Sequence, residues 1–108
     1  MPAIDCAHLS RYTLGDRQLE QEVLRLFADQ APVTLMKLRE AACAKSWHDA
    51  AHTLKGSARA VGAIRVAGAA QDAQAAGHDH SNRDAFIRRI ERSIEEALDH
   101  ISGLASAT

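Results

Sequence analysis

The chain has 108 residues and a formal net charge of −1, with 46% hydrophobic, 25% charged and 4% aromatic residues. That length suits one compact domain spanning 1–108, and the near-neutral balance argues against a nucleic-acid binder working by bulk electrostatics. Cys6 and Cys43 are too few for a disulfide framework or a cysteine metal site, and free thiols suit a reducing cytosol. The opening MPAIDCAHLSRY has no basic region followed by an apolar run, so no signal peptide is expected. No segment approaches the roughly 20 apolar residues of a membrane span. The expectation is a cytoplasmic protein with neither nucleic acid nor membrane as partner.

Helix formers dominate, prolines occur only at Pro2 and Pro32, and runs of β-branched residues are missing. Apolar positions recur at helical spacing almost throughout. A short helix is expected around Ile4 to Tyr12. A longer one starts near Asp16, after the break at Gly15, with Leu19, Val23, Leu26 and Phe27 on a stripe that Leu35, Leu38 and Ala42 continue. Pro32 falls inside it, where a missing N–H and a ring clash predict a kink or a restart. Ser46-Trp47-His48-Asp49 reads as a capping box with Ser46 as N-cap, opening a helix to about Val61 that Gly62 ends. A further helix spans about Ile64 to Ala76 and closes at Gly77. After the loop GHDHS, Ser81 caps the last helix, with Asp84 in the box position and a stripe of Ile87, Ile90, Ile94, Leu98 and Ile101. Four amphipathic helices on short connections predict an all-α fold, an antiparallel four-helix bundle with a short extra N-terminal helix.

The helix around AAHTLKGSARAVGA carries the chemistry. Trp47, Ala51, Leu54, Ala58 and Val61 are spaced four, three, four and three, and define its buried face. At about 100° per residue, His52 lies roughly 120–130° from the centre of that face and points to solvent. Gly56 follows one turn along and Arg59 beyond it, while Lys55 and His48 lie on the same flank nearer the core boundary. A surface histidine usually does nothing. Here Lys55 can reach the space above the ring, Gly56 bares the helix at about 1 kcal/mol relative to alanine, and Arg59 extends the positive charge. An anionic group on the imidazole, with a partner backbone approaching over Gly56, accounts for all three. Neutral imidazole is a good nucleophile near neutral pH, and a phosphoryl group on it would need the countercharge that Lys55 supplies. The other ring nitrogen needs a partner from a neighbouring helix. Gln74 is the best placed, beside the apolar positions Val66, Ala69, Ala70 and Ala73, although it reads equally as a plain surface glutamine.

AHTLKGSARAVGA resembles the signature of histidine phosphotransfer (HPt) domains, an A-H-x-L-K-G-[SA]-[SA] run followed by an apolar-Gly pair. Ala51, His52, Leu54, Lys55, Gly56, Ser57, Ala58, Val61 and Gly62 all match. The N-terminal ID, the helix LFADQAPVTLMKLREA and the tryptophan before the motif extend the likeness over nearly the whole chain. The resemblance implies a four-helix bundle in which His52 is phosphorylated, Lys55 steadies the phosphoryl group, and Gly56 leaves room for the partner. It also favours Gln74 as the hydrogen-bond partner of the imidazole. Some relatives have an arginine about where His78 stands, and this chain departs from them there.

The resemblance further implies a phosphocarrier between receiver domains of a hybrid histidine kinase and of a response regulator, acting as a monomer. Mg²⁺ and the acidic pocket belong to the receiver, so no cofactor of its own is expected. No P-loop or kinase glycine loop is present, and the chain is too short to hold a kinase domain as well. Two other readings compete. His48 and His52, four apart, could bind zinc with His78-Asp79-His80, but that explains neither Lys55 nor Gly56, and Lys55 would repel a cation. A helical adaptor that binds receivers or other proteins without transfer is the other, and the presence of His52, which inactive relatives would have lost, favours transfer over it.

Overall fold

Five helices and no strand form among the residues described by this computed structural model, 3–78 and 81–106. They are α1 (Cys6–Thr13), α2 (Arg17–Glu40), α3 (Ala44–Ala60), α4 (Ile64–Ala76) and α5 (Arg83–Ser106). Helices α2 to α5 form the antiparallel bundle, each packed on its neighbours in chain order, with α5 closing the ring against α2. Helix α1 lies against α2. The fold expected from the apolar spacing is the fold observed.

Local chemistry sets most boundaries. Asp5 caps α1 by accepting the His8 N–H at 3.1 Å, and Asp16 caps α2 by accepting that of Leu19 at 3.1 Å. Between them Leu14 and Gly15 turn the chain with φ of 56° and 77°. Helix α3 ends in a Schellman motif, with the Ala63 N–H donating to the Ala58 carbonyl at 2.8 Å and the Gly62 N–H to the Arg59 carbonyl at 3.2 Å. Gly62 has φ of +75°, and a Cβ there would stand 2.7 Å from the Asp5 carbonyl oxygen. The Asp5 N–H donates to the Gly62 carbonyl at 2.8 Å, so the N-terminal segment is seated on the α3–α4 turn with Ile4 buried beneath it. Helix α4 runs Ile64–Ala76 and stops at Gly77, as the sequence predicts.

Three expectations about helix boundaries are corrected. The restart at Pro32 does not occur, because α2 is helical from Arg17 to Glu40. Pro32 is exposed while Ala31, Thr34 and Leu35 beside it are buried, so core packing carries the helix past one lost hydrogen bond. The N-cap of α3 is Cys43 and not Ser46, which sits at the third helical position. The Ser46 N–H donates to the Cys43 thiol at 3.5 Å and the Cys43 N–H to the Ser46 hydroxyl at 3.4 Å, a capping box with sulfur in the place of oxygen. Hydrogen bonds from Ser46 hold this exposed thiol below its ordinary pKa. Helix α5 begins at Arg83, where the Phe86 N–H donates to the Asn82 carbonyl at 3.1 Å, so the cap lies one residue after Ser81.

The core is aliphatic and rich in alanine. Leu24, Phe27, Leu35 and Leu38 of α2 meet Trp47, Leu54 and Ala58 of α3, and Ile87, Ile90 and Ile94 of α5. Leu98 and Ile101 pack half-buried against them. Leu19 and Leu26, placed on the inner stripe by their spacing, are exposed, as is Ala42; Leu24, Ala31 and Ala41 take the buried positions. Surface ion pairs join α2 to α5 (Arg39 with Glu91) and α4 to α5 (Arg65–Glu96 at 2.7 Å, Arg89–Asp72 at 2.6 Å).

One end of the bundle is locked by Trp47 and Arg83. The buried Trp47 indole N–H donates to the Ala73 carbonyl of α4 at 2.7 Å, fixing α3 against α4. The Arg83 guanidinium lies 4.8 Å above the indole ring. It donates to the carbonyls of Arg39 at 2.9 Å and Ala41 at 2.8 Å, where α2 ends, and to that of His78 at 3.0 Å, beyond the end of α4. Carbonyls at a helix C-terminus have no partner inside the helix and carry partial negative charge, so a cation that bonds to them satisfies both needs. One side chain of α5 thus closes off the end of α2 and holds the turn that follows α4.

Arg83→Ala is expected to lower stability by about 2–3 kcal/mol, since bonds to a charged donor are stronger than neutral ones. The measurement is the urea midpoint at unchanged slope, and Arg83→Lys should recover only part, because a point charge cannot span the fork. Gly62→Ala should cost about 2 kcal/mol by the same measurement, from the left-handed backbone and the contact with Asp5.

Candidate functional site

Burial of Trp47, Ala51, Leu54 and Ala58 fixes the rotation of α3 about its axis and leaves His48, His52, Gly56 and Arg59 exposed on the outer side. Lys55 is half-buried at the edge of that face, as its spacing predicts. The His48 and His52 rings are parallel to within 4°, with centroids 6.1 Å apart. Both imidazoles therefore stand one helical turn apart on one open surface.

Gln74 projects from α4 into this region but meets His48 instead of His52. Its Nε2 lies 3.3 Å from His48 Nδ1 and 3.4 Å from His48 Nε2, and its buried Oε1 has no partner among the described residues. The hydrogen bond to His52 that the resemblance implied is thus replaced by one to the stacked neighbour. The physical reason is the register of α3 on α4. Trp47 binds the carbonyl of Ala73, so the residues next to each, His48 and Gln74, are brought face to face. Spacing within α3 and α4 separately could not give this register.

The surrounding charges are arranged around the two rings. Lys45 bonds to Asp49 at 2.7 Å, and this pairing holds the Asp49 carboxyl below the usual carboxylate range, with smaller contributions from His48 and His52. Asp49 stays ionised and occupied by Lys45, so it leaves the imidazoles uncovered. Arg59 donates to the Gln71 amide oxygen of α4 at 3.3 Å, which ties the far end of the face to the neighbouring helix. His78 stands in the turn after α4 and takes part through its carbonyl in the Arg83 lock.

Gly56 has an ordinary helical backbone, is exposed, and would give an added Cβ no contact within 4 Å. Nothing in the fold requires it to be glycine. The zinc reading has no comparable support: among the described residues no three His, Cys, Asp or Glu side chains converge, and Asp79 and His80 lie outside those residues. Among the described residues no helix is long and apolar enough to cross a membrane.

Arg83 is the residue whose part in the site's geometry no sequence motif marks. A cation in the first turn of a helix opposes the macrodipole, and that local misfit was the available signal. Gly56→Ala is expected to raise stability by about 0.5–1 kcal/mol through helix propensity alone, read as a higher urea midpoint. A lower midpoint would show that the fold needs this glycine after all.

The Hpt domain family model matches residues 22–104, which takes in α3, α4 and most of α2 and α5, and leaves α1 outside. No curated protein and no solved structure matches the chain. With a helical bundle and an outward histidine flanked by lysine and glycine on its third helix, the chain belongs to the Hpt domain family, the phosphocarrier modules of histidine phosphotransfer in phosphorelays.

Proposed function

We propose that His52 accepts a phosphoryl group from the aspartate of one receiver domain and hands it to the aspartate of another. The neutral imidazole presents a lone pair on one nitrogen. As the N–P bond forms, the P–O bond to the donor aspartate breaks and its carboxylate leaves; transfer to the second receiver reverses the step. Lys55, three residues after His52 and half-buried at the edge of the face, would meet the phosphoryl oxygens, and His48, Arg59 and His78 would belong to the surface offered to the receiver. His48, bonded by Gln74 and parallel to His52, extends the surface beside the accepting ring. The Mg²⁺ that such a transfer uses would sit in the receiver. The site supplies position and positive charge, the two things a loose phosphoryl transition state asks of a protein.

The observation that carries this reading is Gly56. The helix forgoes about 1 kcal/mol at a position where a larger side chain would fit the fold. The benefit therefore lies outside the fold, in the close approach of another molecule one turn from His52. Lys55 and the bare imidazole say what that molecule carries.

Incubation with a receiver domain bearing labelled aspartyl phosphate should place label on this chain that is stable to base and labile to acid. The label should be absent from His52→Ala. Lys55→Ala should slow transfer about tenfold, the equivalent of one lost charge contact of about 1.4 kcal/mol. Gly56→Glu should stay folded and block transfer. Equal labelling of wild type and His52→Ala, or equal rates for wild type and Gly56→Glu, would contradict the proposal.

A further inference from the structure

A second feature lies on another side of α4, in the groove that it forms with α5. The groove encloses about 600 Å³ and is lined by four arginines, Arg65, Arg88, Arg89 and Arg92, against one carboxylate, Glu96. Four of the chain's ten arginines are thus gathered in one place on a molecule whose net charge is −1. Two of them are engaged, Arg65 with Glu96 at 2.7 Å and Arg89 with Asp72 at 2.6 Å. Arg88 and Arg92, one turn apart on α5, are exposed and make no ion pair or hydrogen bond among the described residues.

Gly68 supplies an independent observation. It lies inside α4 at the rim shared by this groove and the hollow that Arg59 and Gln71 line on the other flank, its backbone is helical, and an added Cβ would meet nothing within 4 Å. It weakens α4 without serving the packing, as Gly56 weakens α3. Clearance for an approaching chain explains it in the same way.

We infer that the α4–α5 groove binds an acidic peptide segment of a partner protein, on a surface separate from the His52 face. The engaged half of the groove already shows the recognition, since Glu96 and Asp72 are carboxylates bonded to arginine at charge-assisted distances. Arg88 and Arg92 offer the same groups unoccupied. They are about 6 Å apart along the axis, close to the roughly 6.6 Å between alternate side chains of an extended strand. Ile64, 42% exposed at the end of the groove, gives an apolar contact that a peptide side chain can use. A single-stranded nucleic acid would want aromatic stacking platforms, and none of the lining residues is aromatic. The engaged pairs are exposed and individually weak, so they can re-form on an incoming carboxylate.

The test is fluorescence anisotropy with a labelled peptide of alternating glutamate and alanine, at low salt, on the full chain. Binding is expected that falls as salt rises, weakens at least about tenfold in Arg88→Ala/Arg92→Ala, and weakens also in Gly68→Gln, with helical circular dichroism unchanged in both. His52→Ala should bind the peptide as wild type does, so this inference and the phosphotransfer proposal fail separately. No peptide binding, binding unaffected by the double substitution, or tighter binding of an oligothymidylate of equal length through the same arginines would overturn it.

Discussion

The geometry of this molecule depends on the indole N–H of Trp47 and the guanidinium of Arg83. The first fixes where α3 sits along α4, through 2.7 Å to the Ala73 carbonyl. The second lies on the indole face and ties down carbonyls where α2 ends and where α4 has ended. A bundle whose core is largely alanine and aliphatic has few shapes that define register, because small smooth side chains can slide past one another at little cost. A buried polar bond resists sliding, since any shift leaves a donor without a partner. The position of Gln74 beside His48 follows from that one register.

Function then needs little from the fold beyond orientation. The His52 imidazole is exposed, and its neighbours are a half-buried lysine, a glycine and a parallel histidine. Asp49, the carboxylate nearest in sequence, is held by Lys45 and kept ionised. On the proposed reading, the partner would bring the metal and the leaving group, and this surface would contribute a nucleophile with positive charge at its side. Helix α4 borders both surfaces, with Gln71 and Gln74 meeting side chains of α3 and Gly68 lying between Arg59 of α3 and the arginines of α5. Its small residues let it pack closely on α3 and remain a thin wall between the two.

Much of this was legible in the sequence because helical periodicity is strong evidence when packing is one-sided. The buried face of α3 and the span of α4 follow from spacing, and the exposure of His52 follows from the first. Three things were not legible. Helix α2 has apolar residues on two sides, so Leu19 and Leu26 competed with Leu24 and Ala31 for the inner stripe, and only the neighbours decide. Cys43 is not a usual N-cap, and the serine three residues on took its place in the reading. The contacts of Gln74 and Arg83 join residues 26 and more than 40 positions apart, and no local pattern encodes them. The motif itself was legible because both of its oddities, an exposed glycine and a flanking lysine, are local.

Two parallel imidazoles on one face make the identity of the accepting ring the sharpest question. The measurement is ³¹P NMR of the protein after transfer from a phosphorylated receiver, compared among wild type, His48→Ala and His52→Ala. One phosphohistidine resonance is expected in wild type, kept in His48→Ala and lost in His52→Ala. A resonance that survives in His52→Ala and disappears in His48→Ala would contradict the proposal for His52.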